Sequence, residues 1–197
     1  PNINVDLSGD EGAAKKAAEQ YLGNAISTDE WDKLLRATAA EATMNPAEEA
    51  GVMATILNRA RLEGGGEGSI TKVLNAPRQF QAVTGTKFNP GPSEKYKKGP
   101  GEKEKSSIVS GVTQYLPNIS KNQTKFTSAK PEAYGKGTNI GYYHQLKREG
   151  GVIVGGTIFG TDILGGAEPM SQNKPMIPVS NKQKTAPKKS IIIVQNN

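Results

Sequence analysis

The sequence predicts a mainly α-helical domain with a small β-hairpin region and extended segments at both ends. Apolar residues recur at helical spacing in several windows, whereas the window VIVGGTIF at 152–159 has the character of a strand or hairpin edge. After Gly165 the chain becomes rich in proline, lysine and asparagine. Hydrophobic residues make up only 35% of the 197 residues, which favours one folded core with polar segments attached.

We divide the chain into three parts. Residues 1–26 form an N-terminal lead-in with one helix, since 10–22 is rich in helix formers and Gly23 follows as a stop signal. Residues 27–166 form the main domain. Residues 167–197 form a tail rich in proline and lysine.

The second helix is expected to begin after Ser27 and to end near Thr43. Ser27 and Glu30 have the spacing of a capping box, in which each residue's side chain binds the other's backbone N–H. The apolar residues that follow at helical spacing are Trp31, Leu34, Leu35, Ala39 and Ala42.

A third helix follows almost at once. Asn45 is suited to the N-cap, Pro46 to the first helical position, and Glu48 stands three residues after the cap. Its apolar stripe consists of Val52, Met53, Ile56, Leu57 and Ala60.

The rest of the main domain alternates helices with breaks. A short helix is expected from Ser69 to a point before Pro77, and an amphipathic helix over 108–116. Between them, 87–105 contains three prolines, three glycines and nine charged residues, so we expect a mobile loop or insertion there.

Composition excludes several kinds of chemistry. The chain has no cysteine and one histidine, His144, so disulfides and cysteine-based zinc sites are excluded and a Ser-His-Asp triad is disfavoured. We therefore expect neither a metal nor a cofactor, and hydrolytic chemistry would rest on carboxylates. No apolar run reaches the length of a membrane span, and the sequence that starts at Pro1 shows no signal-peptide pattern.

The net charge of +6 is uneven along the chain. Residues 167–197 carry a balance of +4, which leaves +2 for the first 166 residues. No specific nucleic acid is needed to explain so mild a charge on the core, although a basic surface suits polyanions such as bacterial wall polymers. A nucleic-acid binder remains an interpretation that depends on the tail alone.

Glu41 is the candidate catalytic acid. It lies seven positions after Leu34, which at 100° per residue returns it to within about 20° of the direction of Leu34. A carboxyl group on the buried side of a helix, near the C-terminal end, has its pKa raised by desolvation and by the helix dipole. A protonated carboxyl group near neutral pH is what cleavage of a glycosidic bond requires. The alternative is a glutamate that reaches out to water at a helix end.

The segment from Leu34 to Val83, LLRATAAEATMNPAEEAGVMATILNRARLEGGGEGSITKVLNAPRQFQAV, resembles the cell-wall hydrolase family that includes spore-cortex-lytic enzymes. Its matching features are Glu41-Ala42 at a helix end, Leu57-Asn58-Arg59 at the end of the next helix, and Gln79-Phe80. The weaker similarities KFTSAKPEAY at 125–134 and VGGTIFG at 154–160 extend the resemblance over roughly residues 31–162.

The resemblance implies a lysozyme-like α+β fold and cleavage of the glycan strand of peptidoglycan. The best-studied members of the family act as lytic transglycosylases, in which one glutamate is first acid and then base. That implies Glu41 as the catalytic residue. The sequence departs from the pattern at Thr43-Met44-Asn45, where the family usually has Arg-Gly-Glu, and at Thr157, where a histidine is usual.

Seven further residues are candidates for substrate binding. They are Glu48, Asn58, Gln79, Phe80, Tyr142, Tyr143 and Thr157. Five of them, all except Gln79 and Thr157, have a structural alternative that the sequence leaves open. Glu48 could cap its helix or, like Glu49, supply a second carboxylate; Asn58 could make structural hydrogen bonds, Phe80 could belong to the core, and the tyrosines beside His144 could simply be packed.

Peptidoglycan lies outside the cytoplasm, and a bacteriophage virion, in a tail or baseplate, would explain delivery without a signal peptide. The tail favours that setting, because its prolines keep it extended and Ile191–Val194 has the composition of a strand that docks on another chain's sheet. We therefore expect other virion proteins as partners, besides peptidoglycan. The alternative is a non-enzymatic virion or interaction protein that keeps a lysozyme-like fold.

Overall fold

The computed structural model describes residues 10–77, 79–129 and 140–161, and shows a mainly helical chain with a small antiparallel sheet. The helices are α1 (Asp10–Leu22), α2 (Thr28–Glu41), α3 (Pro46–Leu62), α4 (Ser69–Leu74), α5 (Gln81–Thr84), α6 (Glu94–Lys98), α7 (Glu102–Tyr115) and α8 (Ile140–Arg148), with a 3-10 turn at Leu116–Asn118. The strands are β1 (Gln123–Ser128), β2 (Val152–Val154) and β3 (Thr157–Thr161). Within these ranges, no helix has both the length and the apolar content needed to cross a bilayer. The predicted extended segments, including Ile191–Val194, lie outside the described residues.

Helix α1 belongs to the same core as the helices that follow it. Its buried side chains are Ala14, Ala18, Tyr21 and Leu22, which join one hydrophobic cluster with residues of α2, α3 and α7. The helix ends as expected at Gly23, whose φ of 89° lies in the left-handed region that glycine adopts without strain. Residues 10–22 are therefore an integral part of the folded unit.

The start of α2 confirms half of the predicted capping box. The hydroxyl of Ser27 accepts a hydrogen bond from the Glu30 N–H at 3.2 Å. The carboxylate of Glu30 does not return to Ser27 but accepts hydrogen bonds from the N–H groups of Ile70 and Thr71, at 3.2 and 3.3 Å. The reciprocal half of the prediction is wrong because Gly68, the N-cap of α4, has no side chain to satisfy those N–H groups.

The junction between α2 and α3 is tight. Helix α2 ends at Glu41, two residues before the predicted end, because Ala42 adopts an extended conformation. Asn45 is confirmed as the N-cap of α3, since its side-chain oxygen accepts hydrogen bonds from the N–H groups of Ala47 and Glu48 at 3.0 and 3.1 Å. Glu41 is thus the last residue of α2 and comes directly before a short connection.

Helix α3 is the central helix of the molecule. Every residue from Glu48 to Asn58 is buried, so the predicted apolar stripe is too narrow. Helices α1, α2, α4 and α7 and strand β1 all pack against α3. On the β-sheet side, Gly51 leaves room for Phe159, whose ring would come within 2.6 Å of any Cβ added there.

The prediction of a mobile loop at 87–105 is wrong. The segment contains α6 and the first turn of α7. Ser93 caps α6 by accepting a hydrogen bond from the Tyr96 N–H at 3.2 Å, and Tyr96 packs against the core. Arg36 of α2 donates to the Lys97 carbonyl at 2.6 Å. These contacts with α2 offset the low local propensity of a segment rich in proline and glycine.

A pair of substitutions tests whether this segment is structural. We expect Tyr96→Ala to lower the free energy of unfolding by about 1–2 kcal/mol, because the ring is partly buried against the core. Phe88→Ala is the matched control within the same segment. Since Phe88 is 92% exposed, its loss should cost less than about 0.5 kcal/mol. Urea denaturation measures both, and equal effects would contradict a packed α6.

The three strands form an antiparallel sheet in the order β1-β3-β2, which confirms a hairpin over 152–159. Successive residues of β3 point to opposite faces. Phe159 joins the main core, whereas Ile158 packs with Tyr143 and Leu146 of α8 in a second, smaller cluster. The sheet therefore separates α8 from α3.

Candidate functional site

Glu41 lies at the C-terminal end of α2 with its side chain half-buried. Its Oε1 accepts a hydrogen bond from the Ala82 N–H at 3.1 Å. Burial raises the pKa of Glu41 above its ordinary value of 4.5, while the Ala82 hydrogen bond and the charge of Lys95 act in the opposite direction. Oε2 has no hydrogen-bond partner in the described part of the chain. One oxygen is thus held by the protein and the other remains available to a ligand.

Phe80 fixes the position of the N–H group that holds Glu41. Its ring is fully buried, with its centroid 6.0 Å from that of Phe126 and with the Arg59 guanidinium 5.3 Å above its face. Helix α5 begins at the next residue, so its first-turn N–H groups, including that of Ala82, point away from the helix. The structure therefore supports the core alternative for Phe80.

Lys95 brings a positive charge to the same end of α2. Its Nζ lies 3.4 Å from the carbonyl of Ala42, the residue after Glu41, and 3.2 Å from Oε1 of Glu104. Lys95 is not among the residues predicted for the site, because the composition of 87–105 favours a loop. Ser93 before the helical residues and Gly99 after them were the available signals for α6.

Glu48 is a buried clamp between α3 and the β2–β3 turn. It is 1% exposed, and its Oε1 accepts from the Thr157 hydroxyl at 2.6 Å. Its Oε2 accepts from the Gly156 N–H at 3.1 Å and from the Thr43 hydroxyl. Gly155 is required beside it, because an added Cβ would overlap the carboxylate. Glu48 and Thr157, both candidates for substrate binding, are therefore bound to each other.

The clamp has a consequence for Glu41. Thr43 is two residues after Glu41, so Glu48 joins the connection between α2 and α3 to the sheet. These contacts favour a positioning role for Glu48, in place of the helix-capping alternative. The sequence alone does not reveal this cluster, because Glu48 and Thr157 are 109 residues apart and only the glycine pair at 155–156 marks the turn.

Glu49, the neighbouring carboxylate, faces a different helix. Its Oε2 accepts a hydrogen bond from the Ser107 hydroxyl of α7, and its Oε1 is buried without a hydrogen-bond partner in the described residues. Burial raises the pKa of Glu49, the Ser107 hydrogen bond lowers it, and the nearby charges of Glu104 and Glu48 raise it. The three carboxylates Glu41, Glu48 and Glu49 thus have separate sets of partners.

Asn58 and Gln79 occupy contrasting environments. Asn58 is buried, and its Nδ2 donates to the carbonyls of Ser120 at 3.0 Å and Gln123 at 2.8 Å, which supports the structural alternative. Gln79 is exposed, and its Oε1 accepts from Arg59 at 2.9 Å. Of these two candidates, Gln79 alone presents its side chain to solvent.

The residues Tyr142 to His144 lie on α8. Tyr143 is buried against Leu146 and Ile158, and Tyr142 packs beside that cluster. The His144 ring is exposed and meets Tyr143 edge-on, with 5.3 Å between their centroids. Because α8 covers the face of β3 opposite to that of Phe159, the structure does not bring this cluster together with Glu48 and Thr157. Sugar stacking by the tyrosines stays a prediction.

Two surface grooves are lined by residues other than Glu41. One, of about 650 Å³, runs between α1 and α7 and includes Asp10, Glu11 and Lys105. The other, of about 280 Å³, includes Arg59 and Gln79 together with Lys72, Thr124 and Lys125. In the described ranges, no three histidine or acidic side chains are grouped as metal ligands.

Comparison of the chain with protein-family models, curated proteins and solved structures returns no match. What the site can do chemically follows from its own residues. It offers a half-buried carboxyl group with one oxygen available, a backbone N–H that holds the other oxygen, and a lysine near the same helix end.

Proposed function

We propose that the chain cleaves the glycan strand of peptidoglycan with Glu41 as its general acid, in a domain of lysozyme-like α+β architecture. One observation supports this most directly. Glu41 stands at a helix end with a pKa raised by burial, with Oε1 bound to the Ala82 N–H and Oε2 without a partner in the described residues. A carboxyl group in that state can give a proton to the oxygen that leaves a sugar.

The proposed reaction needs one carboxyl group in two roles. The Glu41 proton passes to the glycosidic oxygen as the bond from that oxygen to C1 breaks and positive charge develops on the ring. The resulting carboxylate is stabilised by the Ala82 N–H and by the charge of Lys95. It then takes a proton from the attacking hydroxyl, while the oxygen of that hydroxyl forms the new bond to C1.

The attacking group is either water or the 6-hydroxyl of the same sugar. Purified sacculi digested with the full chain and analysed by mass spectrometry distinguish the two. Reducing ends indicate hydrolysis, and 1,6-anhydro ends indicate a lytic transglycosylase. If neither product forms, the proposed activity is contradicted and the non-enzymatic alternative is favoured.

Lys95 gives a prediction on pH dependence. Its positive charge favours the ionised form of Glu41 and so lowers that pKa. Since Glu41 must be protonated to act, activity falls as pH rises through its pKa. Lys95→Met should therefore move the alkaline limb of the kcat/KM profile to higher pH. Lys98→Met, an exposed position on the same helix, is the control; a shift to lower pH with Lys95→Met would contradict the assignment.

We also propose that this activity is carried by a bacteriophage virion, in a tail or baseplate, and acts in the host envelope. The support is the location of the substrate outside the cytoplasm and the proline- and lysine-rich composition of residues 167–197. Deletion of 167–197 should remove the protein from purified particles while glycan cleavage by the remaining chain persists. Retention of the truncated protein in the particles would contradict docking through the tail.

A further inference from the structure

Three cationic side chains line the smaller groove. This basic groove is bounded by α3, α4 and β1, and its polar lining consists of Arg59, Glu63, Lys72, Gln79, Thr124 and Lys125. Glu63 is the one anion of that lining and is bonded to Lys72. The lining therefore carries a net positive charge, whereas the net charge of residues 1–166 as a whole is only +2.

Arg59 is held in a fixed orientation at the floor of the groove. Its Nε donates to the Thr124 carbonyl at 2.6 Å, its Nη1 donates to Gln79 at 2.9 Å, and its plane lies over the Phe80 ring. A guanidinium that is already ordered loses little conformational entropy when it binds an anion. The same contacts tie the groove to Phe80, which positions the Ala82 N–H against Glu41.

Lys125 is held on the β1 side of the groove. Its side chain is 16% exposed and its Nζ forms an ion pair with Oε2 of Glu149 at 3.9 Å. Lys72, on α4, has a side chain that is 70% exposed. The groove thus combines two fixed cations with one that can move towards a ligand.

The basic groove lies a short distance from Glu41. Gln79 is three residues before Ala82, which limits their Cα atoms to roughly 10 Å apart. Strand β1 covers roughly 10 Å from Lys125 to Ser128, whose partner Thr157 is bound to the Glu48 clamp beside Thr43. By the first path, Gln79 in the groove lies within the reach of about four residues of extended peptide from the Glu41 carboxyl group, whereas the second path adds the width of the strand pair and of the Glu48 clamp.

We propose that the basic groove binds carboxylates of the short peptides attached to the glycan strand. This inference rests on the proposed function, because the peptide is joined to the sugar that Glu41 would act on. Peptide carboxylates match a fixed guanidinium and two ammonium groups, which recognise anions through charge-assisted hydrogen bonds. Phosphates of other wall polymers share this chemistry but are not tethered at a set distance from the bond to be cleaved.

The test measures binding by the full chain carrying Glu41→Gln, so that turnover does not interfere. The probes are GlcNAc-MurNAc-tetrapeptide and the same disaccharide without peptide. We expect the peptide-bearing probe to bind at least about 10-fold more tightly, and this preference to weaken with added salt. Lys72→Gln with Lys125→Gln should remove the preference. Lys98→Gln with Lys103→Gln, at two exposed lysines outside the groove, should leave it unchanged.

Each outcome decides the inference. Equal Kd values for the two probes, a preference that survives Lys72→Gln with Lys125→Gln, or displacement of the peptide-bearing probe by a glycerol phosphate oligomer at equal concentration would overturn it. Lys72→Gln alone, at an exposed position, keeps the test valid if the double variant does not fold. If the chain cleaves sacculi but binds both probes equally, peptide binding by the groove is overturned and the proposed function stands. If the peptide-bearing probe binds more tightly but the unsubstituted chain does not cleave sacculi, the proposed function is overturned and peptide binding by the groove stands.

Discussion

Glu41→Gln is expected to lower glycan cleavage by at least about 10²-fold, the range of a lost general acid. Glutamine keeps the shape of the side chain and can still accept the Ala82 hydrogen bond through its amide oxygen. It has no acidic proton for the leaving oxygen, so binding should persist while turnover fails. Dye release from labelled sacculi measures turnover, and circular dichroism verifies the fold.

Glu49→Gln is the matched control for this experiment. Glu49 is also a buried carboxyl group with a raised pKa, but its hydrogen bond goes to Ser107 on α7. A single-carboxylate mechanism predicts that only Glu41→Gln loses activity. Equal losses in both variants would favour a two-carboxylate mechanism, and near-full activity of Glu41→Gln would exclude Glu41 as the acid.

The Glu41→Gln variant can also be tested independently through its effect on stability. The pKa of Glu41 is higher in the folded chain than its ordinary value of 4.5. As pH rises above 4.5, the unfolded chain releases this proton first, which lowers the stability of the folded form until the folded carboxyl group also ionises. Glu41→Gln avoids that loss. We expect the variant to gain stability relative to the unsubstituted chain as pH is raised above 4.5, as measured by urea denaturation.

Glu48→Ala should be the most destabilising single change in the site. It leaves the Gly156 N–H and the hydroxyls of Thr43 and Thr157 without their acceptor in a buried setting. At about 1–3 kcal/mol for a buried unsatisfied group, and with partial relaxation, we expect a loss of about 3 kcal/mol in the free energy of unfolding. Urea denaturation at constant pH measures it.

Glu48→Gln separates hydrogen bonding from charge. Its amide oxygen can accept from Gly156 and Thr43, while its NH₂ donates to the Thr157 hydroxyl, so we expect a much smaller loss. Glu67→Ala, at an exposed position, should have almost no effect. If Glu48→Ala and Glu67→Ala were equally stable, the clamp would not hold the hairpin.

Several features of the fold and of the site were predictable because they depend on neighbours in the chain. The N-caps at Ser27 and Asn45 act on N–H groups two or three residues away, and Gly23 ends α1 by its own backbone preference. The position of Glu41 on the buried side of α2 follows from the helical repeat alone. Local geometry of this kind is the same in any surroundings that allow the helix to form.

Other features arose only from contacts between distant parts of the chain. Glu30 serves α4 rather than its own helix, α6 forms where composition favours a loop, and Glu48 binds a turn 108 residues away. Their hydrogen-bonding groups have several local options of similar free energy, and the partner that packing brings within 3 Å decides among them.

The candidate site also has some features that the sequence predicts and others that only tertiary contacts decide. By itself, the sequence predicted a carboxyl group on the buried side of α2 near its end, with a side chain that reaches water as the alternative. Only the tertiary structure decided that Ala82 would hold one of its oxygens and that Lys95 would oppose the rise in its pKa. The reason is physical: helical periodicity sets the direction of a side chain, whereas desolvation and charge depend on every element packed around it.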